Sequence, residues 1–241
     1  MSMTSPARRH YEQVRAAKDA ARTEPGKLPA GASNYELMLV KLTADRRRLK
    51  AVQSVARKIE VKREVLPEYA DYVTGTLEGG RGGQDDVLMT VLIWRIDAGD
   101  YAGALDIARY ALRHGLTLPD HYERSAAAAI AEEFADAALA ALRDGGTFDA
   151  DQLNEVRELT ESADMHDPIR AKLHKALGLA SMQLIGDDQL DDAHDRARAA
   201  QAVQNLQTSL RLDARAGVKQ TIARLEKMLG EADGRRSAAR V

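Results

Sequence analysis

Residues 85–119 read DDVLMTVLIWRIDAGDYAGALDIARYALRHGLTLP, and the order of apolar side chains in them decides the fold class. Between Val87 and Ile96 only Thr90 and Arg95 are polar. So wide an apolar stripe suits a helix covered on several sides rather than a surface helix. It carries the sole tryptophan, Trp94. Residues 97–101 read as a turn. Ala104, Leu105, Ile107, Ala108, Ala111 and Leu112 then give a second helix with one apolar face, ended by Gly115 and Pro119. The stretch is a buried helical hairpin and the expected nucleus of the core.

Upstream, residues 35–77 continue as mostly one long helical pattern, interrupted at Pro67. Leu42, Leu49, Val52, Ala56, Ile59 and Leu66 recur at steps near three and four, a short coiled-coil-like seam suited to a helical hairpin or a subunit contact. On an unbroken helix, steps of four and eleven return to nearly one azimuth. That groups Arg46, Lys50 and Arg57 on one face and Arg47, Lys58 and Lys62 on a neighbouring row, with Arg48 in the same basic run. The expected arrangement is a seam buried in an oligomer and a cationic stripe on the surface. Residues 1–33 read as a flexible basic arm and linker, with Arg8 and Arg9 among its cations and Pro25, Gly26, Pro29 and Gly31 in the linker. The run GGRGG at 79–83 reads as a flexible joint. It lacks the Gly-Lys-Ser/Thr of a phosphate loop, and Asp85 is placed to cap the next helix.

Downstream, residues 122–142 are alanine-rich and strongly helical by propensity, with Ala127, Ile130, Phe134, Ala138 and Leu142 as a packing line. A short helix follows over 151–162. Helices over 169–185, 193–212 and 218–229 give further hairpins, weakly tetratricopeptide-like because no clean thirty-four-residue period fits. The expected fold is all-α. Its parts are a basic arm (1–33), a long basic helix for DNA binding and oligomerisation (34–78), a central hairpin core (79–162), carboxy-terminal hairpins (163–230) and a loose tail (231–241).

Composition agrees. Apolar residues make up 44% of the 241 but aromatic residues only 4%, which favours close-packed helices over a β-sandwich. The absence of cysteine excludes disulfides, thiolate zinc sites and cysteine nucleophiles. No apolar run is long enough to span a membrane and no signal-peptide pattern opens the chain, so a soluble cytoplasmic protein is expected. The net charge of −2 conceals an asymmetry: residues 1–66 hold 15 Lys and Arg against 7 Asp and Glu, and residues 67–241 hold 20 against 30. A basic amino part on an acidic body points to a polyanionic partner, or else to a solvated charged helix with none.

Catalytic chemistry is poorly marked. A metal-dependent nuclease needs carboxylates converging on one or two cations, and Asp85 and Asp86 are the foremost candidates. Both also sit where helix caps use aspartate. The six histidines offer no zinc-type pair four residues apart. No metal or other cofactor is expected.

Several segments together resemble one family. SPARRH, DRRRLKAVQSVARKIEVKREVLPEY, GGQDDVLMTVLIWRIDAGDYAGALDIARYALRHGLTLP and IRAKLHKALGL are similar to the GpM-type small terminase subunit of tailed phages, in the expected order over nearly the whole chain. The resemblance implies a role in viral genome packaging, with double-stranded viral DNA and the large, ATPase-bearing terminase subunit as partners and a ring-forming homo-oligomer as the assembly. It also carries the label of an endonuclease subunit. Two other readings stay open: a nuclease using metal-bound carboxylates at cohesive ends, and a helical-repeat scaffold that binds no DNA.

Overall fold

The computed structural model describes Ala7, Tyr11, Val14, Arg15 and Lys18, then residues 33–119, 124–186, 190 and 192–238. The described residues are helical or in turns and loops, with no strand among them. The all-α expectation holds. Arg8, Arg9 and the linker at 21–32 lie outside the described residues. The chain divides into two compact units, Met1–Ala126 and Ala127–Val241, a division that falls inside the stretch 79–162 expected to form one core.

In the first unit, α1 (Ser33–Ala51) and α2 (Val55–Val65) are followed by a 3₁₀ turn (Leu66–Tyr69), α3 (Ala70–Gly79), α4 (Asp86–Ala98) and α5 (Tyr101–His114). Helix α4 is the centre: Val87 through Trp94, Ile96 and Ala98 are all buried. That is the covering which its unbroken apolar run implies. Asp85 caps it, its carboxylate accepting from the Leu88 amide at 2.8 Å. Gly99, at φ +83°, closes it in the left-handed conformation, and the Asp100 amide returns to the Arg95 carbonyl at 2.8 Å. Asp100 then caps α5.

Two local expectations are corrected. The long basic helix is broken at residues 52–54, where Ser54 adopts an extended backbone and its hydroxyl accepts from the Arg57 amide at 3.3 Å. A capped break ends any helical arithmetic that carries Arg46 and Lys50 onward to Arg57. The glycine run, in turn, is a packed joint. Gly82 is buried at φ +80°, and its amide donates to the Tyr110 hydroxyl at 2.9 Å. A Cβ there would lie 2.7 Å from the His114 ring. Only glycine combines that backbone with that approach. The neighbouring Gln84 clamps the segment after α5, exchanging hydrogen bonds of 2.8 and 2.9 Å with the Thr117 backbone.

The second unit is built from α6 (Ala126–Arg143), α7 (Ala150–Leu159), α8 (Asp167–Met182), α9 (Ala193–Leu212) and α10 (Lys219–Ala238). Ala127, Ile130, Phe134 and Ala138 are buried on α6, as its packing line predicts, while Leu142 is only half-buried. Helices α8 and α9 pack closely because Gly178 leaves room for Leu206, whose side chain would meet a Cβ there at 2.6 Å. Ile222, Leu225 and Ala232 of α10 complete an apolar cluster with Ala199, Ala202 and Leu206. The tail expected to be loose is helical to Ala238, held by the burial of Ala232.

Candidate nucleic-acid interface

The basic residues of the first unit sort into three groups by what their neighbours offer. On α1, Tyr35, Leu42 and Leu49 turn inward and are buried. Their seven-residue spacing leaves Arg46 and Lys50 on one flank of that apolar line. Beyond the break at 52–54, Lys58 and Lys62 of α2 meet the same space. Arg46, Leu49, Lys50, Lys58, Lys62, Thr90 and Trp94 line a cavity of about 290 Å³. No carboxylate lines it.

Arg46 is held in place by α4. Its guanidinium donates to the Thr90 hydroxyl at 2.7 Å, and that hydroxyl donates to the Asp86 carbonyl at 2.7 Å. Lys62 pairs with the Asp97 carboxylate. Lys50 and Lys58 have no ion-pair partner among the described residues. Two cations without counter-ions, beside two others positioned by hydrogen bonds, make a site ready for the oxygens of a phosphate.

The floor is rigid. Trp94 is 5% exposed and meets Tyr69 edge-on, with centroids 6.2 Å apart. The Tyr69 hydroxyl donates to Asp45 at 2.7 Å, and Lys41 reaches Asp45 at 2.9 Å and Glu68 at 2.8 Å, lying 4.8 Å over the Tyr69 ring. Burial opposes the charge on Lys41, but the two carboxylates outweigh it and raise its pKa. This chain of contacts ties α1, the 3₁₀ turn and α4 together beneath the cations.

The remaining predicted cations separate from this pocket. Arg48 pairs with Glu64, and Arg57 reaches Glu60 at 2.6 Å and Glu64 at 3.5 Å. All are solvent-exposed pairs of small net worth, and they place the two arginines on an internally neutralised patch. Arg47 is exposed and without an ion-pair partner among the described residues. The expected seam is dispersed: Leu42 and Leu49 are buried in their own unit, Val52, Ile59 and Leu66 are half-buried, and Ala56 is exposed. Sequence reasoning missed Thr90 and Trp94, whose signal was their place in the buried α4 run beside the basic helix.

The two acidic candidates each accept hydrogen bonds from neighbouring groups of the fold. Asp85 is 3% exposed, and beyond the Leu88 amide it accepts the Tyr72 hydroxyl. Burial pushes its carboxyl up to about 6, against the opposing hydrogen bonds. Asp86 is half-buried and accepts from the Gln84 amide group at 3.1 Å. Among the described residues, no three His, Cys, Asp or Glu side chains gather as a metal ion would require. Nor is any described helix long and apolar enough to cross a membrane.

Comparison with known proteins places this arrangement in context. Residues 39–168 match the model of the family described as phage small terminase subunit. The chain is 49% identical over 227 residues to the "Terminase, endonuclease subunit" of Escherichia phage P2, covering 94% of this chain and 86% of the relative. It is 23% identical over 206 residues to the "Probable terminase, endonuclease subunit" of Haemophilus phage HP1, covering 84% and 73%. No solved structure matches significantly.

Proposed function

The chain belongs to the phage small terminase subunit family, and from that membership we propose that it binds the packaging site on double-stranded viral DNA and hands it to the large, ATPase-bearing subunit. It acts in the host cytoplasm as a homo-oligomer, in the form of a ring. The observation that carries the DNA-binding part is the pocket of Arg46, Lys50, Lys58 and Lys62, open to solvent and lined by no carboxylate. Phosphate oxygens satisfy such a set, and contacts of that kind fix register without reading bases. The docking surface for the large subunit lies in the acidic second unit. There α6 and α8 border a cavity of about 900 Å³ with Leu139, Leu142, Leu179 and Met182 in its lining.

The test is the salt dependence of binding to a DNA duplex. Replacing Lys50 and Lys58 together by alanine removes two phosphate contacts. The slope of log affinity against log salt should fall by about 1.8, at roughly 0.9 per contact. An unchanged slope overturns the pocket as the interface. Arg48→Ala with Arg57→Ala should leave the slope nearly intact, since both guanidinium groups already face glutamates.

The name carried by both relatives favours a second reading, cleavage of DNA by this subunit. Purified chain supplied with Mg²⁺ or Mn²⁺ and cognate DNA separates the two. Cleavage that Asp86→Asn abolishes supports a nuclease. An inert chain that becomes active only with the large subunit supports a recognition role.

A further inference from the structure

Helix α1 carries a second line, apolar but for Arg47, that its own unit leaves bare. Leu37, Val40, Ala44, Arg47 and Ala51 recur at steps of three, four, three and four, and every one of them is exposed. Leu37 is 59% and Val40 71% exposed. This line lies on the opposite side of the helix from Tyr35, Leu42 and Leu49, so covering it leaves Arg46 and Lys50 on the flank open. Apart from Leu184, the exposed large apolar side chains among the described residues all lie before residue 56. Two of these, Leu37 and Val40, stand one turn apart on this line, and a bare apolar pair on a helix face suits association.

The charges bordering the line say what covers it. Glu36 at the amino end and Arg47 near the carboxy end are both exposed, and neither has an ion-pair partner among the described residues. A parallel copy would set Glu36 against Glu36 and Arg47 against Arg47, which repel. An antiparallel copy crossing near residue 42 brings Glu36 to the partner's Arg47 and seats Val40 against the partner's Ala44. A large side chain then faces a small one twice, related by a two-fold axis.

We propose that this outer line of α1 is the self-association face, and that it takes α1 of a second copy in antiparallel register. The proposal rests on the reading of the chain as a self-assembling packaging subunit and names the surface through which copies pair; closing such pairs into a ring takes a second, head-to-tail contact. An isologous pair of this kind makes assemblies of even copy number. It also sets two cationic pockets symmetrically about one axis, so that two stretches of DNA backbone are met together.

The experiment measures the mass of the full chain in solution by light scattering. Wild-type protein is expected at an even multiple of the chain mass. Val40→Glu is expected to reduce that mass two-fold or more, with helicity unchanged because Val40 is exposed in the single chain. Reversing both charges together (Glu36→Arg with Arg47→Glu) should restore the mass that Glu36→Arg alone lowers. Because the chain has no cysteine, a Val40→Cys, Ala44→Cys variant should oxidise to a covalent dimer, whereas Lys227→Cys should not. A monomeric wild type, or Val40→Glu at full mass, overturns the proposal. If mass is insensitive to Val40 but DNA binding still responds to Lys50 and Lys58, only this inference fails. If Val40→Glu dissociates an assembly that binds no DNA, the functional reading fails and the interface stands.

Discussion

Asp85, a catalytic candidate by its position, is engaged by contacts that hold the fold. It is an acid beside another acid at the head of a buried helix, yet its oxygens are taken by the Leu88 amide and the Tyr72 hydroxyl. Its folded-state pKa lies above the usual 3.8, so the folded form binds the extra proton between those values. The associated stabilisation is present below about pH 3.8 and is lost as pH rises through about 6. Asp85→Asn keeps an acceptor for Leu88 and offers the tyrosine a donor without the buried charge. Relative to wild type, this variant should gain stability as pH rises from 4 to 7, read as the difference in melting temperature, and DNA binding should not change. Loss of function at constant stability would restore Asp85 as a candidate for chemistry. The capping role was legible in the sequence because a cap is a local event. Tyr72, thirteen residues away, was not, since only the packing of α3 against the start of α4 brings it there.

At the level of elements, the α4–α5 hairpin could be read directly, because its apolar pattern, aspartate caps and terminal glycine all point one way. The basic segment was harder. Residues 52–54, Val-Gln-Ser, contain neither glycine nor proline, and propensity alone gives no reason to stop a helix there. The break is fixed by the Ser54 cap and by the burial of Val61 and Val65 against the rest of the unit. Ser54→Ala should therefore cost about 1 kcal/mol, measured by denaturant unfolding. It should also weaken DNA binding more than it weakens the fold, because Lys58 and Lys62 are aimed by the helix that Ser54 starts. Equal loss in both would show that the cap does not position the pocket. The same break redistributes the predicted stripe. Arg46, Lys50, Lys58 and Lys62 converge, whereas Arg48 and Arg57 turn to Glu60 and Glu64.

Over the whole molecule, charge and compactness divide the chain in the same sense. The unit ending at Ala126 holds 20 Lys and Arg against 17 Asp and Glu, and the unit beginning at Ala127 holds 15 against 20. Each unit has its own buried apolar set. A chain stopped at Ala126 should fold by circular dichroism and keep the salt slope of the full protein in anisotropy titrations. The piece 127–241 should fold and show no such binding. A slope that needs both pieces would move part of the interface to the second unit. The charge asymmetry was visible in the sequence, but the boundary was not, because a run of alanines continues through it without a change of composition.

Trp94 gives the pocket a built-in gauge. As the only tryptophan, it supplies nearly all the ultraviolet emission excited at long wavelength, and it stands beside Lys50, Lys58 and Arg46 in the cavity wall. An anion drawn in among those cations changes the electric field at the indole, so the native colour and intensity of that emission follow occupancy of the pocket without any label. If the pocket takes a phosphate as proposed, kinetic mixing of unmodified protein with DNA times its arrival at one known place in the fold.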